Sequence, residues 1–342
     1  MMLARDWLRR QRAQQLVNLG RVHRVEGASN AASAVPTSEA DFAFSLLSDA
    51  FVAGRPALIF RRPDPPYDFV DESFQQPTSA HGMIKRFIRD FVWPREVEHL
   101  DSAICLSLFW SDNYWHWMHE NLPKVLLAEA AGFTGHYLVT PAPFARQSLE
   151  LIGIPPARIV TNDDQIWRVR SLWVSPRLFG SGLIRRQALL ERQRAALMAG
   201  VGARAGQGKT RFYLSRNRGS LTRRVVNETA VKPVLEKFGF REYAPDGYAL
   251  SQQIEHFADC EALVGVHGAA FSNALFMPEE SLAVGLLSPL YVPTPMTLPV
   301  MRLRRHRFHM LVSPVFREPY PHGDDVEVHV DSLDTMLSSE LG

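Results

Sequence analysis

The sequence predicts an α/β protein made of two halves, each with strands and helices alternating around a parallel sheet. Short apolar runs typical of buried strands alternate with helical patterns over residues 103–175 and again over residues 211–287. A glycine-rich run at residues 200–208 separates the two stretches and indicates a domain junction. We expect three regions: an N-terminal helix and linker (1–40), a first α/β domain (41–200) and a second α/β domain with a C-terminal tail (201–342).

Composition supports an ordinary globular protein rather than a nucleic-acid-binding or disulfide-rich one. The 342 residues are 46% hydrophobic and 22% charged, which is enough apolar material for a core. The net charge of +2 provides no strong field for nucleic acid. Cys105 and Cys260 both lie in apolar runs, which indicates buried thiols in a reducing compartment. We therefore expect a cytoplasmic location.

The N-terminal segment, residues 1–24, reads as a basic helix with Leu3, Trp7 and Leu8 partly on one side. Two interpretations stay open: a surface helix that packs on its own domain, or peripheral contact with the inner face of a membrane. No apolar run reaches the roughly 18 residues of a membrane span, and arginines interrupt any signal-peptide core. Residues 25–40 are small and polar and are expected to form a loop.

In the first half, a buried strand at residues 103–108 precedes a helix expected from about Tyr114 to Ala131. Pro123 lies inside that helical pattern, so the helix is expected to bend there or to begin later. Further elements are expected at residues 136–139 (strand), 144–152 (helix), 158–161 (strand), 171–175 (strand) and 181–201 (helix).

His116, His119 and Glu120 follow one another at helical spacings of three and four residues, which places them on one face. Three interpretations compete for this group. Metal binding is disfavoured because the spacing is not that of a zinc-protease helix and no further ligand cluster is present, so no metal is expected. Satisfied histidines in aromatic packing are the second interpretation, and acid/base chemistry at a cleft is the third.

In the second half, residues 262–276 give the clearest indication of a ligand-binding turn. An apolar strand ends at Val266, His267 and Gly268 form the turn, and a helix is expected from Ala269. Backbone N–H groups and the positive dipole end of a helix N-terminus make an anion site, most often for phosphate. The alternative is a tight strand-to-helix joint with a buried histidine.

A second strand, residues 211–215, ends in Ser215 and Arg216 and is followed by a basic loop with Arg224. Asn227 is expected as the N-cap of the next helix, with Glu228 in its acidic first turn. If both strands belong to one parallel sheet, Arg216 and His267 lie at the same edge, and an arginine fork suits phosphate. The remaining elements are expected at residues 241–243, 262–266 and 282–287 (strands), and at 251–259, 269–277 and 333–341 (helices).

Four segments then carry a resemblance to a known family. They are Asn113-Tyr-Trp-His-Trp-Met-His-Glu-Asn-Leu-Pro123, Tyr213-Leu-Ser-Arg216, Arg223-Arg-Val-Val-Asn227-Glu228 and Gly265-Val-His-Gly-Ala-Ala-Phe-Ser-Asn273. This ordered set resembles glycosyltransferase family 61, which includes xylosyl- and N-acetylglucosaminyl-transferases and bacterial proteins labelled for capsular polysaccharide biosynthesis. The resemblance implies a GT-B fold, in which two Rossmann-like domains face each other across a cleft.

The resemblance also implies an activity: inverting transfer of a sugar from a nucleotide-sugar donor to a hydroxyl of a glycan or polysaccharide. No cofactor beyond that substrate and no metal are implied. Glu120, His116 and His119 become the catalytic candidates. The candidates for donor binding are Arg216, Arg224, Asn227, Glu228, His267, Gly268, Ala269 and Asn273.

One residue departs from the family pattern. Such proteins usually carry a glutamate in the strand after the last motif, where this chain has Gly285. If that glutamate holds the ribose of the donor, Gly285 cannot. A degenerate module that binds nucleotide or glycan without turnover is therefore the alternative function.

Overall fold

The computed structural model describes residues 20–23, 33–36, 43–61, 67–70, 96–108, 110–163, 165–175, 187–204, 206, 208–217, 222–289, 298–314 and 325–342. The chain divides into two compact units, Met1–Leu183 and Ile184–Gly342. Most of the predicted N-terminal helix lies outside the described residues. Its last residues, Gly20–His23, form a strand, and so does Ser33–Pro36 in the predicted loop. The prediction was wrong for these two segments.

The first unit contains a nine-stranded sheet. Its strands are β1 (Gly20–His23), β2 (Ser33–Pro36), β3 (Ala43–Ala53), β4 (Leu58–Phe60), β5 (Tyr67–Val70), β6 (Val97–Cys105), β7 (His136–Val139), β8 (Ile159–Thr161) and β9 (Ile166–Val174). The order is β1-β5-β4-β3-β9-β6-β7-β8, with β2 paired to β3. Strands β9, β6, β7 and β8 are mutually parallel, as the sequence predicted.

The other part of this sheet is mixed, and the prediction of a purely parallel sheet was wrong there. β3 pairs antiparallel with β2, β4 and β9, and β4 pairs antiparallel with β5, whereas β1 and β5 are parallel. Short connections allow antiparallel neighbours without a crossover helix, and the β3–β4 connection has four residues. The core of the unit is built where both parts meet, around Leu47, Ile59, Leu138 and Val169.

The helix predicted from Tyr114 to Ala131 is three consecutive pieces. A short helix α1 (Tyr114–His116) passes into a π-helical turn (Trp117–Asn121) and then into α2 (Leu122–Ala130). Pro123 lies in the first turn of α2, directly after the π-helical turn. The sequence left open whether the helix bends at Pro123 or begins later. The structure shows a helix that begins at Tyr114 and changes from π-helical to α-helical winding just before Pro123. A further helix, α3 (Pro143–Leu151), follows β7.

The second unit contains a five-stranded, wholly parallel sheet. Its strands are β10 (Thr210–Leu214), β11 (Arg241–Glu242), β12 (Cys260–Val266), β13 (Leu282–Leu287) and β14 (Arg307–Val312). The helices are α4 (Gln187–Val201), α5 (Glu228–Lys237), α6 (Leu250–Ala258), α7 (Leu298–Leu303), α8 (Val330–Leu341) and a 3₁₀ helix (Ala269–Phe276). The predicted C-terminal helix is confirmed, and Leu333 and Leu337 bury its apolar side in the core of this unit.

The order of this sheet, β11-β10-β12-β13-β14, has a consequence for binding. In chain order it reads 2-1-3-4-5, so the direction of winding reverses between β10 and β12. In doubly wound sheets, ligands bind beyond the carboxyl ends of the two strands at this switch point. The second unit therefore has its expected ligand position where β10 and β12 end.

Candidate functional site

The switch point of the second unit brings two predicted segments together. β10 and β12 are hydrogen-bonded neighbours, with Leu214 opposite Gly265 at their carboxyl ends. A Cβ atom on Gly265 would lie 2.7 Å from the Cβ of Leu214, so only glycine allows this spacing of the strands. Beyond Leu214 the chain continues through Ser215 to Arg216, and beyond Gly265 it continues through Val266 to His267. The prediction that these two residues leave neighbouring strands is confirmed.

Two guanidinium groups converge beside the turn at Gly268. A Cβ placed on Gly268 would lie 3.0 Å from Nη1 of Arg216 and 3.7 Å from Nη1 of Arg223. Nη1 of Arg223 donates to the carbonyl oxygen of His267 at 3.1 Å. Burial and, secondly, the charge of Arg223 lower the pKa of Arg216 to about 10, and the charge of Asp246 opposes this shift. A bound anion would offset the repulsion between these two cations.

The helix after Gly268 differs from the prediction. It is a 3₁₀ helix over Ala269–Phe276 rather than an α-helix to Met277, and Gly268 precedes it in extended conformation. His267 is 5% exposed, and burial lowers its pKa to about 4, with the charge of Arg223 as the second cause. At neutral pH this imidazole is therefore uncharged.

Asn273, on the 3₁₀ helix, connects that helix to the loop after β11. Its buried side-chain amide donates to Oε1 of Gln253 at 3.0 Å. Gln253 in turn donates to the carbonyl oxygens of Pro245 and Tyr248 at 3.0 and 3.1 Å. This chain of contacts places the loop that carries Asp246 beside Arg216. The predicted contact of Asn273 with a donor stays a prediction.

The predicted cap residue Asn227 has a different partner. It occupies the N-cap position of α5, but its side chain makes no capping hydrogen bond. Its amide instead donates to the carbonyl oxygen of Val328 at 2.8 Å and accepts from the N–H of Val328 at 3.0 Å. The predicted N-cap position of Asn227 and the acidic first turn with Glu228 are confirmed, but the side chain of Asn227 binds this backbone segment instead of capping the helix.

Glu228 and Arg224 are also held by protein contacts. Oε1 of Glu228 accepts from Ser215 Oγ at 2.6 Å and from Tyr213 Oη at 2.9 Å. Nη2 of Arg224 lies 3.1 Å from Oδ2 of Asp325. Together with Asn227, these residues brace the segment after β10 that carries Arg223. Their predicted contacts with a donor stay predictions.

The second cluster lies in the first unit, on the helix that follows β6. Asn113 begins that helix, and its Oδ1 accepts from the backbone N–H groups of Trp115 and His116 at 3.0 and 3.5 Å. Nδ1 of His116 lies 2.8 Å from Oε2 of Glu120. The side chains are 10% and 13% exposed, so the pair is largely shielded from water but reachable. The prediction that His116 and Glu120 share a face is confirmed.

His119 has different surroundings. It is 2% exposed, and its ring centroid lies 5.1 Å from that of Trp115. Burial lowers its pKa to about 3, with His116 as the second cause. The ring is thus neutral in the folded protein. A direct catalytic part for His119 stays a prediction.

Two neighbours of this cluster were not predicted. Trp110 has a positive φ of 63°, is 43% exposed, and places its ring 4.7 Å from that of His116. Lys124 is only 4% exposed, and burial lowers its pKa to about 8. The sequence could have indicated Lys124, because it follows Glu120 by four residues and this spacing places both on one helical face.

The described residues offer no ready metal site. Within the described ranges, no group of three or more histidine, cysteine, aspartate or glutamate side chains is arranged to hold a metal ion. None of the helices in the part of the chain that the structure covers has the length and apolar character to cross a bilayer.

The fold and the two clusters define an α/β protein with two arginines at the switch point of its second sheet and a histidine–carboxylate pair in its first unit. The sequence model of the family Glycosyltransferase 61 matches residues 114–284, half of the chain. The matched stretch begins in α1 and ends in β13, so it contains both clusters. The chain belongs to glycosyltransferase family 61 and is a glycosyl-transferring enzyme. A search of curated proteins found no match.

Proposed function

We propose that the protein transfers a sugar from a nucleotide-sugar donor to a hydroxyl of a glycan or polysaccharide, with inversion and without a metal. The observation that carries this proposal is the pair of arginines at the switch point of the second unit. Arg216 and Arg223 both approach Gly268, beside the start of the 3₁₀ helix. Family membership supports glycosyl transfer, and this geometry supports a diphosphate as the leaving group.

The proposed donor site stabilises the departing diphosphate. As the glycosidic bond breaks, negative charge grows on the leaving oxygens, and preorganised cations and N–H groups lower the barrier. The guanidinium groups of Arg216 and Arg223 supply fixed positive charge, and the backbone N–H groups at Gly268 and Ala269 supply hydrogen bonds. His267 is neutral, so it acts here as a hydrogen-bonding group rather than as a cation.

The proposed base is the His116–Glu120 pair. In the proposed arrangement the carboxylate of Glu120 accepts the hydrogen bond of the Nδ1–H group of His116 across their 2.8 Å contact. The other ring nitrogen, Nε2, then takes the proton of the acceptor hydroxyl. One base and one direct displacement at the sugar carbon give inversion.

The two clusters belong to different units, which matches the division of tasks in a GT-B transferase: donor in one domain, acceptor activation in the other. The GT-B arrangement is thus part of this proposal. So is a cytoplasmic location, supported by the two free, buried cysteines. Contact of the basic N-terminal segment with the inner face of a membrane rests on the sequence alone.

A second candidate function is a degenerate module that binds nucleotide or glycan without turnover. Gly285 favours it, because the resembled family usually has a glutamate there. In the structure Gly285 is buried within β13, in register with Gly265 of β12. A carboxylate is therefore missing from β13, which pairs with the strand that leads into His267.

The experiment that tests the proposal combines binding with turnover. A panel of nucleoside diphosphates and nucleotide sugars is screened by calorimetry, and hits are assayed for donor hydrolysis and for transfer to glycan extracts. Binding with hydrolysis or transfer supports the enzyme. Binding without either, over all donors and extracts, supports the degenerate module. If no nucleotide binds, the proposed donor site is wrong.

A further inference from the structure

The loop after β11 presents an exposed aromatic side chain in the second unit. Tyr248 is 42% exposed, whereas every other aromatic residue that the structure describes in this unit is buried or half-buried. A single exposed aromatic residue on a protein surface needs no explanation by itself. The surroundings of Tyr248 therefore decide whether it has a role.

Two neighbouring rings hold Tyr248 in one orientation. Its ring stacks on that of buried Tyr243, with centroids 5.0 Å apart and an interplanar angle of 13°. The ring of His256 stands at 89° to that of Tyr248, with centroids 4.9 Å apart. The His256 centroid is also only 5.6 Å from that of Tyr243, so His256 lies beside the stack rather than on its outer face. Among the described residues, no ring covers the face of Tyr248 that points away from Tyr243.

Tyr248 lies at the same edge of the sheet as the two arginines of the switch point. β11 and β10 are neighbours, and the backbone N–H of Tyr243 donates to the carbonyl oxygen of Tyr213 at 2.8 Å, so the loop begins beside the end of β10. From the other direction, the amide of Gln253 joins the carbonyl oxygen of Tyr248 to the side chain of Asn273 in the 3₁₀ helix. Two separate connections thus hold the loop at the switch point.

We propose that Tyr248 is the surface on which the base of the donor nucleotide stacks. The inference rests on the proposed function and adds recognition of the nucleoside to the diphosphate site at Arg216 and Arg223. Every nucleobase has a flat π face, and stacking on an aromatic side chain stabilises its binding. A ring that two neighbours already orient loses little conformational freedom when a ligand binds, which favours affinity.

The surroundings of Tyr248 favour a base over a sugar ring. A bound sugar needs hydrogen-bonding partners for its hydroxyl groups. The polar groups beneath the stack already have partners within the protein: Oη of Tyr243 lies 3.0 Å from Nδ1 of His256, and both ends of the side-chain amide of Gln253 are hydrogen-bonded. A base needs only the open face of the ring.

Calorimetry separates the contribution of the base from that of the diphosphate. The probes are inorganic pyrophosphate and the diphosphates of uridine, guanosine, adenosine and cytidine. In the native protein, we expect at least one nucleoside diphosphate to bind more tightly than pyrophosphate. In Tyr248→Ala, that nucleotide should bind about 5- to 100-fold more weakly, the range for loss of one base–aromatic stack, while the affinity for pyrophosphate stays the same.

Further variants test the ring itself. Tyr248→Phe and Tyr248→Trp keep an aromatic face and should bind the nucleotide within about threefold of the native affinity. Tyr248→Leu covers Tyr243 with an apolar side chain but has no π face, so it should lose affinity and replaces Tyr248→Ala if that variant does not fold. Met310→Ala is the matched control, since Met310 is 47% exposed and β14 lies at the opposite edge of the sheet from β11.

The outcomes distinguish this inference from the proposed function. A loss of nucleotide affinity in Tyr248→Ala and Tyr248→Leu, with pyrophosphate binding intact, supports the stacking role. Unchanged nucleotide affinity, or a loss that includes pyrophosphate, overturns it. If the variants bind nucleoside diphosphates normally but bind a nucleotide sugar more weakly, Tyr248 contacts the sugar and the inference is wrong. If neither pyrophosphate nor any nucleotide binds to the native protein, the proposed donor site fails and the inference fails with it.

Discussion

Gly265 and Gly285 face each other across β12 and β13, yet a side chain would meet very different surroundings at the two positions. A Cβ on Gly265 would lie 2.7 Å from Cβ and 3.0 Å from the carbonyl oxygen of Leu214. A Cβ on Gly285 would make only ordinary van der Waals contacts, with the ring of Phe308 at 3.7 Å and the carbonyl oxygen of His309 at 4.0 Å. The close approach is therefore confined to the β10–β12 side, where the switch point lies.

This contrast gives a prediction for stability. Gly265→Ala should lower the free energy of unfolding by about 1–3 kcal/mol, because the added methyl group forces β10 and β12 apart. Gly285→Ala is the matched control and should change it by less than about 1 kcal/mol. Urea denaturation followed by far-ultraviolet circular dichroism measures both. Equal effects of the two substitutions would contradict the steric argument.

Parts of the site were predictable because parallel sheets impose simple rules. Strand ends of a parallel sheet meet at one edge, so recognising β10 and β12 as strands was sufficient to bring Arg216 and His267 together. The helix pattern was likewise sufficient to pair His116 with Glu120, since that spacing brings side chains into contact.

Other parts depend on contacts that the local sequence does not reveal. Asn227 was expected to cap a helix, but it pairs with the backbone of Val328, about one hundred residues later. β14 was missed because Arg307 and His309 make the segment look like an exposed basic loop. Lys124 was not singled out in the sequence, and the packing of α2 within its unit buries it. In each case, contacts with segments distant in the sequence decide the structure, and the local amino-acid pattern does not reveal them.

Donor binding should depend on Arg216. Arg216→Ala is expected to weaken binding of a nucleoside diphosphate by about 1.5–3 kcal/mol, the range for hydrogen bonds to charged groups. Arg211→Ala is the control, since Arg211 lies near the start of β10, Arg216 follows the end of that strand, and Arg211 pairs with Glu261. Calorimetry with the best nucleotide from the panel measures both. An unchanged dissociation constant in folded Arg216→Ala would remove Arg216 from the donor site.

Turnover should not require a divalent ion. In the proposed site the positive charge comes from Arg216 and Arg223, which already converge at Gly268. We expect the transfer rate to be the same in excess chelator as in added magnesium or manganese. A rate that vanishes in chelator and returns with manganese would contradict this, and the His116–Glu120 pair would then be tested as a metal site.

Acid should destabilise the first unit through His119. The pKa of His119 is lowered from its ordinary value of 6.5 to about 3 in the fold, so the unfolded chain binds more protons between these values. The contribution of the neutral His119 ring to the free energy of unfolding is complete above pH 6.5 and is lost as the pH falls toward 3. His119→Gln should therefore flatten the fall in the free energy of unfolding over this range.

Tryptophan fluorescence can follow this effect separately. All seven tryptophans lie within Met1–Leu183, so their emission reports on the first unit. Urea unfolding at several pH values between 7 and 4 gives, for each protein, the slope of the free energy of unfolding against pH. Parallel slopes for the native protein and His119→Gln would show that the buried ring titrates normally, against the prediction.

The base should affect turnover and leave donor binding unchanged. Glu120→Gln and His116→Ala remove the two members of the proposed base, and a general base contributes about 10²–10⁴-fold to rate. We expect each variant to lose turnover within that range while its affinity for the nucleotide diphosphate stays constant, because donor binding is assigned to residues of the second unit. Asp112→Asn is the control, since Asp112 is exposed and lies just before the helix that carries His116 and Glu120.

If both variants turn over at the native rate, the His116–Glu120 pair is a packing motif, and Asp112 becomes the next candidate for the base. If donor affinity falls together with turnover, His116 and Glu120 belong to the donor site and the assignment of the base is wrong.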